Sequence, residues 1–277
     1  KSGGNNLAAQ IQSIVAIANQ KLAIHKDDYI LIREPDQLYE YMKEMKQVGE
    51  GALDTETTGL NPKLDRIIEI GAVKVRDGKI TDRFESLINP GRKLDERIVQ
   101  LTGITQEDLK IAPDIAEVLP SLLSFIGDDV LLGHKILFDF SFLKRAAVNR
   151  HLTFEKRGID TLKLARRFLP ELESKRLTSL CEYYGIAYDA HRAASDAVAA
   201  TELYFKLSKQ FPDEDAYEPV PLIYKVKRDC PITEKQKERL YKLTEKHKIE
   251  IDYEIDKLTK SEASRITDKI ILKYGRI

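Results

Sequence analysis

Leu53-Asp54-Thr55-Glu56-Thr57-Thr58-Gly59 and, one short loop later, Ile67-Ile68-Glu69-Ile70-Gly71-Ala72-Val73-Lys74-Val75 decide how this chain is read. Gly51–Asp54 has the character of a short apolar strand ending on an acid, and Ile67–Val75 that of a second strand. Asp77-Gly78 is a hairpin turn signal, and Thr81–Ile88 supplies the returning strand before Asn89-Pro90-Gly91 breaks it. Alternate residues of an extended segment share a side, so Asp54 and Glu56 project together with Cα atoms about 7 Å apart. Two carboxylates so placed repel each other unless protons or cations lie between them. Mg²⁺ and Mn²⁺ favour such oxygen ligands. Taken alone, the D-x-E pattern is common, and a polar strand end before a Thr-Thr-Gly turn is the more ordinary explanation.

Working outward, helices are expected near Glu96–Leu101 and Pro113–Phe125, with an apolar strand at Val130–Leu132. Further helices are expected at Phe138–Asn149, Thr161–Leu169, Leu177–Tyr184 and from Ala193 to about Lys206, with Gly185 stopping the third. An opening hairpin followed by strands interleaved with helices predicts an α/β fold, a mixed sheet flanked by helices. Residues 49–210 form this domain. Residues 1–48 form an N-terminal extension, read as a helix over 7–23, a strand at Tyr29–Ile32 and a helix at Pro35–Val48. Residues 211–230, with prolines, acids and little that could pack, read as a linker. Residues 231–277 read as a small helical C-terminal module, because Thr233 with Gln236 and Thr259 with Glu262 fit capping boxes ahead of apolar helical patterns.

Composition removes other classes. The 277 residues are 42% hydrophobic and 32% charged, which excludes a disordered polyampholyte. With no run of eighteen apolar residues, no spanning helix and no membrane partner is expected. Cys181 and Cys230 are too few for a disulfide framework or a four-cysteine zinc site, so a reducing, cytoplasmic setting is the expectation. No signal-peptide pattern opens the chain, and a start at Lys1 without Met reads as a trimmed terminus. Net charge is zero, yet residues 1–220 hold 30 basic and 35 acidic residues while residues 221–277 hold 15 and 10. The basic tail could help to hold a polyanion.

Two more segments carry acids at strand or helix ends. In Gly133-His134-Lys135-Ile136-Leu137-Phe138-Asp139, Asp139 lies just past a strand C-terminus, the edge where α/β sheets assemble sites. In His191-Arg192-Ala193-Ala194-Ser195-Asp196, a separation of five brings the pair together only if His191 stands on the approach to a helix that contains Asp196. Viewed singly, a helix-capping acid and an exposed His with a solvated acid explain them as well.

Together, Asp54-x-Glu56 in the setting DTETTG, Phe138-Asp139 after a Gly-His strand end, and His191 followed by Asp196 resemble the DEDDh (DnaQ-like) family of 3′–5′ exonucleases. The resemblance runs from about residue 50 to 208 and includes Asn89-Pro90 and Leu101-Thr102-Gly103-Ile104-Thr105. It is greatest toward the proofreading exonuclease of bacterial DNA polymerase III, in the form embedded in the Gram-positive enzyme. It implies a ribonuclease H-like sheet and a site with two divalent metal ions, Mg²⁺ or Mn²⁺. It further implies Asp54, Glu56, Asp139 and Asp196 as metal ligands, with Asp54 bridging, and His191 as general base. Thr57, Thr58 and Leu60 are implied to hold the terminal nucleotide, Leu60 as a wedge; Leu60 as a core anchor is the alternative. The partner implied is a single-stranded or frayed 3′ end of DNA, with RNA second and a DNA polymerase as protein partner, in replication or repair. An RNA-trimming exoribonuclease and a non-catalytic polymerase accessory module are the alternatives.

Lys135 departs from the family, which usually carries Asn there, and an ammonium lacks the amide's acceptor. His134 is read as structural, and Asp160 as a cap or sheet support. Arg166, Arg167, Lys175 and Arg176 are read as a solvated face, with phosphate contact second.

Overall fold

The computed structural model describes residues 49–187, 189–251 and 254–276. The elements expected within residues 1–48 lie outside the described residues. Strands β1 (Glu50–Thr57), β2 (Ile67–Arg76) and β3 (Lys79–Leu87) form the expected antiparallel hairpin unit. Helices α1 (Glu96–Thr102), α2 (Gln106–Lys110) and α3 (Ile115–Ile126) lead to β4 (Val130–Gly133), which pairs parallel to β1. Helix α4 (Leu137–Asn149) leads to β5 (Arg157–Asp160), parallel to β4. Helices α5 (Thr161–Phe168), α6 (Leu177–Tyr184), α7 (Ala193–Gln210) and the short α8 (Glu214–Tyr217) precede β6 (Val220–Pro221), antiparallel to β5. Helices α9 (Glu234–His247) and α10 (Lys260–Tyr274) close the chain. The strand order β3-β2-β1-β4-β5-β6 makes a mixed sheet, the ribonuclease H-like arrangement.

Period-two alternation sorts the core onto two faces. Leu53, Ile70 and Leu131 pack against α3 and α4 through Leu119, Leu122, Phe140 and Leu143. Ala52, Val73, Leu132 and Ile159 pack against α5, α6 and α7 through Leu164, Leu180 and Leu203. Helix α7 approaches the sheet closely because its inner residues Ala193, Ala197, Ala199 and Ala200 are small and fully buried. Its first turn lands on Gly71, where a Cβ would sit 2.0 Å from the Ala194 backbone nitrogen. Only glycine fits there.

Two features differ from expectation. Strand β5 carries a single buried aliphatic side chain, Ile159, beside Gly158, so its sequence shows no alternation. Gly158 is required because a Cβ would lie 2.8 Å from Leu222 and 3.0 Å from the Leu131 carbonyl oxygen. The segment 211–230 is also more than a linker in its first half. Phe211 stacks on Phe168 with ring centroids 4.9 Å apart, Tyr217 stacks on the same ring, and Val220–Pro221 extends the sheet. Three apolar anchors, Phe211, Tyr217 and Leu222, outweigh the prolines and acids around them.

Both expected capping boxes form, at Thr233 with Gln236 and at Thr259 with Glu262. The module has a core of its own around Ile232, Leu240, Leu243, Ala263 and Ile270. It docks on the sheet domain through polar anchors. Buried Glu262 accepts Arg66 Nη2 at 2.5 Å and Arg92 Nη2 at 2.9 Å, and Asp229 pairs with Arg145 and accepts Asn149 Nδ2 at 2.9 Å.

Candidate active site

Strand alternation turns Leu53 and Thr55 toward α4 and Asp54 and Glu56 toward α7. Asp54 is the cross-strand partner of Gly71, so the helix that lands on that glycine arrives beside it. Asp196, in the first turn of α7, thereby joins the strand acids. Carboxylate oxygens of Asp54, Glu56 and Asp196 all lie within 4.8 Å of one another.

Their ionisation is mutually suppressed. Burial, then the charges of Asp139, Asp196 and Glu56, push Asp54 well above the ordinary carboxylate range. Burial, then Asp196 and Glu69, raises Glu56 to about 7. Burial raises Asp196 to about 7 although backbone N–H groups of His191 and Arg192 donate to it. A cluster that resists losing its protons in the protein alone is one that a divalent cation satisfies: hard oxygen donors, converging, with excess negative charge. The residues present fit such an ion.

Asp139 lies outside the three acids that converge within 4.8 Å, yet near enough for its charge to raise Asp54 and Glu56. Strand β4 pairs with β1 at Glu50, Gly51 and Ala52 and no further, so the Thr55 N–H has no ladder partner on that side. Asp139 Oδ1 accepts this N–H at 2.9 Å and the Thr55 hydroxyl at 2.7 Å. Burial raises Asp139 to about 7 against the lowering effect of these bonds. The residue between the two strand acids is thus the one that fixes the second motif's acid.

His191 occupies the exposed turn before α7, with left-handed φ of 65°. Its backbone N–H bonds to Asp196 while the Asp189 N–H bonds to Ser195 Oγ at 2.9 Å, so the first turn of α7 holds this loop. Glu69, not singled out by sequence, lies opposite Glu56 on β2 and is buried. It accepts Arg192 Nη2 at 2.7 Å and the Ala193 N–H at 2.9 Å, tying the start of α7 to the sheet. An acid inside the apolar run Ile67–Val75 was the available signal, because a buried carboxylate needs a partner.

The turn after Glu56 is self-braced. Thr57 Oγ1 donates to the Gly59 carbonyl at 2.7 Å, the Thr58 N–H donates to the Arg66 carbonyl, and the Thr58 hydroxyl accepts the Arg66 N–H. Leu60 is 82% exposed at its tip and anchors no core. His134 has both ring nitrogens engaged, by Thr161 Oγ1 at 3.0 Å and the Lys175 carbonyl at 2.9 Å, and burial lowers its pKa. Lys135 is exposed at φ 70°, a conformation that suits Asn better than Lys, with its ammonium over the Phe138 ring. Asp160 caps α5 through the Leu162 N–H and also accepts the Lys135 N–H. Of the basic run, Arg167 pairs with Asp213, and Lys175 Nζ bonds to the Pro170 and Leu172 carbonyls.

The family described as Exonuclease matches residues 52–204, more than half of the chain. The DNA polymerase III PolC-type of Oceanobacillus iheyensis is 35% identical over 236 residues, covering 79% of this chain and 16% of that protein. The enzyme of the same description from Bacillus subtilis is 43% identical over 160 residues, covering 56% of this chain and 11% of that protein. The chain thus spans about a sixth or less of the length of these relatives. Among solved structures, E. coli Exonuclease I in complex with a dT13 oligonucleotide matches with a TM-score of 0.55 at 20% identity, over 62% of this chain and 43% of that one. The nuclease domain of 3′hExo, a DEDDh family member bound to rAMP, matches with a TM-score of 0.51 at 21% identity, over 62% and 96%. At these identities the two structures attest the fold.

Proposed function

The chain belongs to the exonuclease family, and from that premise we propose that it is a metal-dependent 3′–5′ exonuclease that releases nucleoside 5′-monophosphates from DNA. The observation that carries this is the convergence of Asp54, Glu56 and Asp196 within 4.8 Å. These three would hold one divalent ion, and Asp54 and Asp139 would hold a second, with Mg²⁺ or Mn²⁺ suiting their hard oxygen donors. Because Asp139 Oδ1 is committed to Thr55, its other oxygen is the one that would serve that ion. Bound cations would neutralise charge building on the phosphodiester and its departing 3′ oxygen.

The protein's own groups do the rest. His191, exposed on a loop tied to Asp196, takes the proton of the water that attacks phosphorus. The P–O3′ bond breaks, the terminal nucleotide leaves as its 5′-monophosphate, and the departing 3′ oxygen takes a proton from solvent to give the shortened strand its new 3′ hydroxyl. The braced turn Thr57–Leu60 receives the terminal nucleotide, with exposed Leu60 against the last bases. Glu69 and Gly71 position α7 and hence Asp196 and His191. The relatives' description as DNA polymerase III supports DNA over RNA and a replicative polymerase as protein partner. Among the described residues no helix is long and apolar enough to cross a membrane. The nuclease domain runs from 49 past 210 to Leu222, followed by a short connection and the module at 231–277.

Digestion of 5′-labelled and 3′-labelled DNA and RNA strands with Mg²⁺, Mn²⁺ or EDTA tests the proposal. A 5′-labelled DNA ladder shortening from the 3′ end, mononucleotide product from the 3′ label and silence in EDTA are expected. Internal cuts, or 3′ termini left intact with either metal, would overturn it.

A further inference from the structure

A groove of about 550 Å³ lies between the loop that follows Glu56, the connection 225–230 and the start of α10. Lys63, Lys225, Lys227, Arg228, Lys260 and Arg265 line it. Its acid, Asp229, is already paired with Arg145. Among the described residues no carboxylate stands within ion-pair distance of Lys63, Lys225, Lys227, Lys260 or Arg265. Two lysines elsewhere on the same module do find partners: Lys237 pairs with Glu234 and Asp256, and Lys257 with Glu254. Cations without an ion-pair partner converge on this groove, and like charges held together are costly unless an anion joins them.

The groove is also a fixed one. Arg66 and Arg92 grip Glu262 at the N-terminus of α10, and Arg92 Nη1 donates to the Leu64 carbonyl at 2.8 Å. These bonds hold the Lys63 loop against the module. In the connection, Lys225 and Lys227 are both exposed and both line the groove. Lys63 stands three residues beyond Leu60 on the loop that begins at the end of β1, so one loop carries both a groove lysine and the turn proposed to receive the terminal nucleotide.

We propose that this groove binds the phosphate backbone of the single strand leading to the 3′ end, making the C-terminal module a strand-retention element. For the class of ligand this rests on the nuclease function proposed above; for its location it rests on the groove alone. Backbone contact by lysines is sequence-independent and salt-sensitive, and each phosphate neutralised on a single strand contributes about −0.7 to the slope of log K against log salt.

The test is anisotropy of 5′-labelled oligothymidylate and oligouridylate, each as a long strand and as a trinucleotide, in EDTA so that no turnover occurs. The triple variant Lys225→Ala/Lys227→Ala/Arg265→Ala loses up to three contacts. Raising salt about fourfold should therefore cost the wild type about 20-fold more long-strand affinity than the variant. Trinucleotide binding should be unchanged, and Lys225→Arg/Lys227→Arg should keep the wild-type slope. Equal response of the DNA and RNA strands marks backbone recognition, whereas a response of one alone would overturn it. So would an unchanged salt slope in a triple variant whose melting temperature matches the wild type, including the case where that variant has instead lost binding of an acidic protein. Because binding is read without hydrolysis, an inactive protein with a working groove, or an active one without it, separates this proposal from the nuclease function.

Discussion

Replacing Glu56 by Gln should make the metal-free protein more stable at pH 8, although it removes a metal ligand. Glu56 is raised from 4.5 to about 7 by burial, then by Asp196, Glu69 and Asp139. Below pH ~4 the carboxyl is protonated in both folded and unfolded chains, so charge contributes nothing to the difference. As pH rises through 4.5, Glu56 ionises in the unfolded chain while the folded protein keeps its proton. The unfolded state then binds fewer protons, and unfolding free energy falls with pH until the folded group ionises near 7. A shift of two to three units corresponds to about 3 kcal/mol. In a protein of this size that is about 6–12 °C of melting temperature. Gln is a neutral isostere and bears none of this cost. Melting in EDTA should show variant and wild type together near pH 4 and the variant ahead by that margin at pH 8. Saturating Mn²⁺ should reverse the order, because the wild type gains a full carboxylate set. An equal gap at both pH values, or equal stabilisation of both proteins by Mn²⁺, would refute the electrostatic account.

His191→Ala should lower kcat by about 100-fold or more, the scale of a positioned acid–base, while the Mn²⁺-induced rise in melting temperature stays at the wild-type value; a loss of both would make His191 structural. Glu69→Ala strips the buried Ala193 N–H of its acceptor and Arg192 of its partner, and should cost about 2 kcal/mol in denaturant unfolding. Its kcat should fall with KM little changed, since α7 carries Asp196 rather than the strand-receiving turn. Gly71→Ala pushes a methyl to within 2.0 Å of the Ala194 nitrogen, so about 1–3 kcal/mol of stability and most Mn²⁺ affinity should go together; titration of Mn²⁺ against melting temperature reads both.

Much of the site is legible in sequence because each part obeys a short-range rule. Asp54 and Glu56 share a side since strands alternate, and Leu177–Tyr184 ends at Gly185 as its periodicity and left-handed cap require. The capping boxes of α9 and α10 are likewise local. What stayed hidden depends on long-range packing. Strand β5 owes its place to neighbours on both sides and not to its own pattern, and Phe211 and Tyr217 reveal their role only once Phe168 is beside them. Glu69 looked like one polar residue in a buried strand until the start of α7 met it. The basic groove appears in sequence only as a modest excess of charge after residue 220, because Lys63 belongs to a distant loop that Glu262 draws in.

The central claim is that Asp54, Glu56 and Asp196 meet to hold a divalent cation. Crystals grown with Mn²⁺ and measured at the manganese absorption edge test it most directly. An anomalous peak bounded by these three carboxylates, and absent from crystals of Asp54→Asn, is the predicted result; manganese bound elsewhere, or a wild-type cluster without a peak under saturating metal, would contradict it.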